Sequence, residues 1–180
     1  MSTRGKDFAK EFGKVEARLR WDPSPLGAPA HDLDLVAAVY RADSPHERPV
    51  YLVHFGERSP DGTISLDRDS TTGQGLGYDE VMSLEPGRMS ADHGRIVIGV
   101  VVQQRAGRLT FGEVAGTGVQ LREGHTELFS DDLSGVPEAT AATVAEFVRV
   151  GGGSWTLRKD VRGFDTDPRT FATVMGAPGA

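Results

Sequence analysis

The sequence predicts a mainly β protein, a two-sheet antiparallel β-sandwich with one short C-terminal helix. Three observations carry that reading. Short runs alternate apolar and polar residues, and turn formers separate them: the chain holds 23 Gly and 10 Pro in 180 residues. A long amphipathic stretch, which a parallel sheet needs for its crossovers, is missing.

Taken in order, residues 8–12 (FAKEF) are too short to assign, although one helical turn fits them. Val15, Ala17, Leu19 and Trp21 alternate with Glu16, Arg18 and Arg20, which marks a strand with one solvated face. Residues 33–41 and 49–55 are two further strands, separated by Asp43-Ser44-Pro45-His46. Residues 63–66 follow the turn Ser59-Pro60-Asp61-Gly62. Val81, Met82 and Leu84 begin another segment, ended by Pro86-Gly87. The run Arg95–Gln104 contains IVIGVVV, too β-branched to favour a helix, and reads as a central strand covered on both faces. Residues 117–122 and 125–130 are strands around Glu123-Gly124. Residues 141–150 are ambiguous, because their alanines permit a helix while Val144, Glu146, Val148 and Val150 alternate as in a strand. After Gly151-Gly152-Gly153, Trp155 and Leu157 start the partner strand of a hairpin. Residues 168–175 form the helix, opened by Asp167-Pro168 and stopped by Gly176.

The chain is long enough for one ordinary core, and no linker-like stretch divides it. Residues 1–14 read as an N-terminal extension or edge strand, and 15–176 as one domain. The net charge is −6 and the pI about 5.3, so the chain lacks the basic footprint of a nucleic-acid binder. There are no Cys residues, which excludes disulfides, thiolate metal sites and a Cys nucleophile. Met1-Ser2-Thr3-Arg4-Gly5-Lys6 leads into no apolar run, and no stretch reaches the ~20 apolar residues of a membrane helix. A cytoplasmic location is the expectation.

Chemistry concentrates in two places. Asp32-Leu33-Asp34 opens a strand, and alternation puts both carboxylates on one face, roughly 7 Å apart. Like charges so placed repel unless a cation or base stands between them; a solvated strand start is the plain alternative. The run from Asp61 to Glu80 holds Asp61, Asp67, Asp69, Asp79 and Glu80. Calcium takes six to eight oxygens from carboxylates, hydroxyls and backbone carbonyls. Ser70, Thr71 and Thr72 supply hydroxyls, and Gly73, Gly75 and Gly77 let the backbone turn carbonyls inward. A long polar loop is again the alternative. A helix–loop–helix calcium site is excluded, because Gln74 occupies the sixth position and the flanks are not helical. The glycines are no dinucleotide fingerprint either, lacking a buried strand before them and a long helix after. The five His are scattered, and no Gly-x-Ser-x-Gly elbow exists. Trp21 and Trp155 read as core anchors.

The order of these pieces resembles the TerD family of tellurium-resistance, calcium-binding stress proteins, from residue 15 to about 176. The resemblance rests on Trp21-Asp22, Asp32-Leu33-Asp34, Ser59-Pro60-Asp61-Gly62, Asp69 with Thr72-Gly73-Gln74-Gly75, Asp79-Glu80, Phe111-Gly112-Glu113-Val114 and Trp155. It implies a two-sheet sandwich with calcium between acidic loops at one end, and a non-enzymatic bacterial role in tolerance to tellurite and other stresses. The implied ligands are Asp32, Asp34, Asp69, Asp79 and Glu80 through carboxylates and Gly73 and Gly75 through carbonyls, with Asp61 a lesser candidate. This chain departs from the family at Ser70, Gln74, Leu76 and Tyr78, which replace an amide and acidic residues, and at Phe55, which stands where Asn is usual. Each change removes a charge or an oxygen, so one weakened calcium, or none, is expected. The partners implied are unidentified proteins. A metal-independent scaffold is the runner-up, and a carbohydrate-binding or hydrolytic sandwich, with Tyr78 as its exposed aromatic, comes third.

Overall fold

The computed structural model describes residues 8–70, 72–75 and 77–178. Thr71 and Leu76 of the acidic loop lie outside the described residues. Eleven described strands form two antiparallel sheets. They are β1 (Phe8–Lys10), β2 (Val15–Arg20), β3 (Leu33–Arg41), β4 (Tyr51–Val53), β5 (Ile64–Arg68), β6 (Glu80–Leu84), β7 (His93–Val102), β8 (Gly118–Glu123), β9 (Thr126–Asp131), β10 (Ala141–Gly151) and β11 (Ser154–Phe164), followed by helix α1 (Pro168–Val174). One sheet has the order β1-β11-β10-β7-β3-β4 and the other β5-β6-β2-β8-β9.

The inward residues of both sheets share one core. Val15, Ala17 and Leu19 of β2 face Leu33, Leu35 and Val39 of β3 and Ile96, Ile98 and Val100 of β7, with Trp155 and Phe147 among the largest sealed side chains. The β3 and β7 residues between these, Val36, Ala38, Tyr40, Val97 and Val101, join a second cluster with Phe171 and Met175 of the helix region. The six-stranded sheet is therefore covered on both faces at its centre, by the other sheet inside and by α1 outside. This double coverage is why 33–41 and 95–102 read as nearly continuous apolar runs.

Helix α1 is capped as its sequence demands. The Asp167 carboxylate accepts from the Thr170 N–H at 2.9 Å, and Pro168 occupies the first turn. Gly99 lies beneath it, where a Cβ would stand 2.6 Å from the Phe171 ring.

Three local expectations resolve or change. Residues 141–150 are strand, because β10 sits between β7 and β11, where backbone pairing on both sides overrides the helix propensity of alanine. FAKEF forms no helical turn; Phe8, Ala9 and Lys10 pair with Leu157, Thr156 and Trp155 at the edge of the sheet. The strand placed at 49–55 shrinks to 51–53. Pro49 has no N–H to give, and Phe55-Gly56 is a tight turn in which His54 and Glu57 exchange two backbone hydrogen bonds, 3.0 and 3.2 Å.

Candidate metal centre

The site lies at the end of the sandwich where β3 and β6 begin. β4 pairs with β3 only from Ala37 to Val39, which leaves the Leu35 N–H without a strand partner. Glu80 fills that gap from the opposite sheet. Alternation along Glu80-Val81-Met82-Ser83-Leu84 points Glu80 inward with Met82 and Leu84, and its Oε2 accepts from the Leu35 N–H at 2.6 Å. Glu80 is completely buried, and its other oxygen has no hydrogen-bond partner among the described residues.

Asp34 on β3 and Asp69, just after β5, complete a trio. One carboxylate oxygen from each of Asp34, Asp69 and Glu80 lies within 4.8 Å of the other two. Asp34 is buried and Asp69 exposed, so the cluster opens to solvent on the Asp69 side. Gln103 donates its side-chain N–H to Asp34. Burial first, and then the closeness of the Asp69 and Asp34 carboxyls, pushes the Glu80 carboxyl up to about 12. That direction favours the neutral acid over the carboxylate at this position when no cation is near.

Asp32 shares the field of this trio. Its carboxyl is pushed up to about 7, first by burial and then by the charge of Asp34, with Asp69 adding to it and Arg105 opposing. Arg105 reaches one oxygen at 3.1 Å, while Oδ1 is buried with no partner among the described residues. Sequence reasoning missed Arg105; its only signal is a place just beyond the end of β7, beside the start of β3.

The remaining expected residues lie outside this trio. Asp79 is buried outside the trio, and its Oδ2 accepts from the Trp21 N–H at 2.8 Å, tying the exit of β2 to the acidic loop. Burial raises its carboxyl, partly offset by that N–H. Gly73 has φ +75°, and a Cβ there would stand 2.5 Å from Trp21 Nε1, so it packs the loop against the indole. Gly75 is exposed, with φ +119°. Ser70 Oγ accepts from the Gly73 N–H at 3.1 Å. Asp61 is held apart by hydrogen bonds from Ser59, Tyr51 and both the N–H and hydroxyl of Thr63. Burial alone would raise its carboxyl, but these donors hold it at about 2. Tyr78 is not a free aromatic platform, since the Arg18 guanidinium lies 5.4 Å from its ring centre and its hydroxyl donates to Gln120 at 3.1 Å.

This donor set fits a hard, oxygen-seeking cation. It has three converging carboxylates, a fourth in their field, and two buried oxygens without donors. It lacks the nitrogen or sulfur ligands of a zinc site.

The chain is a β-sandwich with a buried acidic cluster at one end, and comparison with known proteins agrees on the fold. The TerD domain family matches residues 6–173. Tellurium resistance protein TerD of an Alcaligenes species is 27% identical over 155 residues, covering 83% of this chain and 80% of that protein. The uncharacterised protein YceE of Bacillus subtilis is 29% identical over 159 residues, covering 84% and 81%. Among solved structures, a homologue of the telluride resistance protein TerD from Streptomyces coelicolor A3(2) is 52% identical with a TM-score of 0.90, covering 93% of this chain and 99% of that one. SAV2460, a protein of unknown function, is also 52% identical, with a TM-score of 0.92 and coverage of 94% and 100%. The chain belongs to the TerD family.

Proposed function

We propose that this chain is a non-enzymatic, calcium-responsive binding module that serves stress tolerance in the cytoplasm through contacts with partner proteins. The observation that carries the calcium reading is Glu80, a fully buried carboxyl with one unpartnered oxygen facing Asp34 and Asp69. A buried acid among acids destabilises a fold unless a proton or a cation compensates it. Asp34, Asp69 and Glu80 would hold the cation, with Asp32 within reach of the same field. Gly73 and Asp79 keep the acidic loop seated on Trp21. The tolerance role is supported by the names of the TerD relatives.

A metal-independent scaffold is the second reading, favoured by one feature: burial raises the Glu80 carboxyl, so a proton there could stand in for a cation. A thermal melt with calcium and with chelator decides between them. We expect a dissociation constant of about 10⁻⁴ to 10⁻³ M, the weak end for protein calcium sites. Calcium at about 100 times that value stabilises by roughly 2.7 kcal/mol. For a domain of this size that is a rise of about 5–10 °C in Tm. Magnesium should do less, and Asp69→Asn should shrink the shift while Glu138→Gln leaves it intact. A melting temperature that is the same in several millimolar (on the order of ten times the expected constant) calcium and in chelator leaves the metal-independent scaffold standing.

A further inference from the structure

Of Asp32, Asp34, Asp69 and Glu80, only Asp32 forms an ion pair among the described residues. Its side chain is 5% exposed, and its Oδ2 lies 3.1 Å from Nη2 of Arg105. Its Oδ1 is buried with no donor among the described residues. Gln103 fixes the main chain here. Its backbone N–H donates to the Asp32 carbonyl at 2.8 Å, and its side chain donates to Asp34. Asp32 is thus pinned beside Asp34 by its backbone, while its carboxylate remains free to turn about its own side-chain bonds. The charges of Asp34 and Asp69 act on that carboxylate from one side and the charge of Arg105 from the other.

Arg105 is held by little else. It stands in the turn after β7, closed by the Gly107 N–H donating to the Gln104 carbonyl at 3.3 Å. Its side chain is 70% exposed, and Asp32 is its one polar contact among the described residues. The guanidinium can therefore return to water at small cost. Arg108 lines the same cleft but is anchored elsewhere, on Asp165 at 3.1 Å and on the Glu138 carbonyl at 2.9 Å.

We propose that Arg105 is a tethered counter-ion that calcium displaces from Asp32. Binding at this site is then an exchange of cations: the guanidinium leaves for solvent as the Asp32 carboxylate turns onto the ion as a fourth acidic ligand. The proposal rests on the calcium reading above and adds the residue that sets its affinity. Calcium takes six to eight oxygens, and one oxygen from each of three acids leaves it short. Asp32 is the nearest further supply. An arginine keeps its charge at any pH the fold meets, so the competitor is always present. Being part of the chain, it is not lost on dilution. The weak binding expected above follows in part from this arrangement, since the ion must break a pair before it gains a ligand. In calcium-free protein the same pair compensates a buried carboxylate, which alone would weaken the fold.

The test is calorimetric titration of the full chain with calcium, alongside thermal melts in chelator and in saturating calcium. Alkaline buffer is used, where protons compete least for the carboxylates. Arg105→Gln should tighten the dissociation constant on the order of three- to tenfold. It should lower Tm in chelator and leave Tm in saturating calcium nearly unchanged. Arg108→Gln, the same loss of charge in the same cleft, should leave the constant where it is. In an Asp32→Asn background Arg105→Gln should change neither the constant nor the melt in chelator, because the pair is already broken. If the natural chain binds calcium and Arg105→Gln binds it no more tightly, the exchange is wrong and the calcium reading survives. Tightening that Arg108→Gln matches, or that persists with Asp32→Asn, is a general effect of nearby charge and also overturns the exchange. Binding by Arg105→Gln alone supports the exchange in its strongest form, with the guanidinium shutting calcium out of the natural chain. Binding by neither defeats the calcium reading and this proposal together.

Discussion

Glu80 shows how one side chain can hold a fold in tension. Its Oε2 closes the free edge of β3 while its Oε1 faces two other acids. Glu80→Gln keeps the acceptor for Leu35 and supplies N–H donors to Asp34 and Asp69. Calcium-free Glu80→Gln should therefore melt higher than the natural protein and show little or no shift with calcium, by differential scanning calorimetry. Asp32 adds a pH signature. Its carboxyl lies at about 7 in the fold against about 3.9 in an open chain. The folded state thus binds more protons between those values. Asp32's contribution to calcium-free stability should be fully present below about pH 4 and lost as pH rises through about 7. Asp34, Asp69 and Arg105 are the charges acting on it, and Asp32→Asn should flatten that part of the pH–Tm curve. The acidic residues themselves were legible in the sequence. Which of them meet was only partly so. The alternation from Glu80 to Leu84 already marks Glu80 as inward-facing, whereas the pairing of Asp32 with Arg105 and of Asp79 with the Trp21 N–H depends on loop paths that no local pattern encodes.

At the scale of elements, periodicity located most strands because one face of each is buried. It faltered where that condition fails. In β10, residues 141–147 are buried on successive positions, since both faces of the sheet are covered, and alternation gives way to an alanine-rich run. β1 is three residues of edge strand whose place depends on pairing with β11. Helix α1, announced by Asp167-Pro168, is legible, but its seat is not. That seat depends on Gly99, the one position in IVIGVVV without a side chain, directly under Phe171. Gly99→Ala should lift the helix or force a rotamer change, at a cost of about 1–3 kcal/mol in urea denaturation.

At the scale of the whole molecule, the sandwich brings the starts of β3 and β6 together with the end of β5, so the cluster draws residues 34, 69 and 80 from both sheets. The order of strands within each sheet was not legible, because neighbours such as β2 and β8 lie about a hundred residues apart and similar apolar faces pair equally well on paper. One consequence concerns time rather than equilibrium. A cation gripped by three such distant residues has no comparable grip on a chain whose sheets have separated. If the sheets part before the rate-limiting step of unfolding, the ion must leave first, whereas folding reaches the same barrier with the clasp still unformed. In stopped-flow denaturation, added calcium should slow the unfolding limb while the refolding limb hardly moves. The lifetime of the native state would then follow the surrounding calcium level, and this end of the sandwich would act as a clock as well as a clasp.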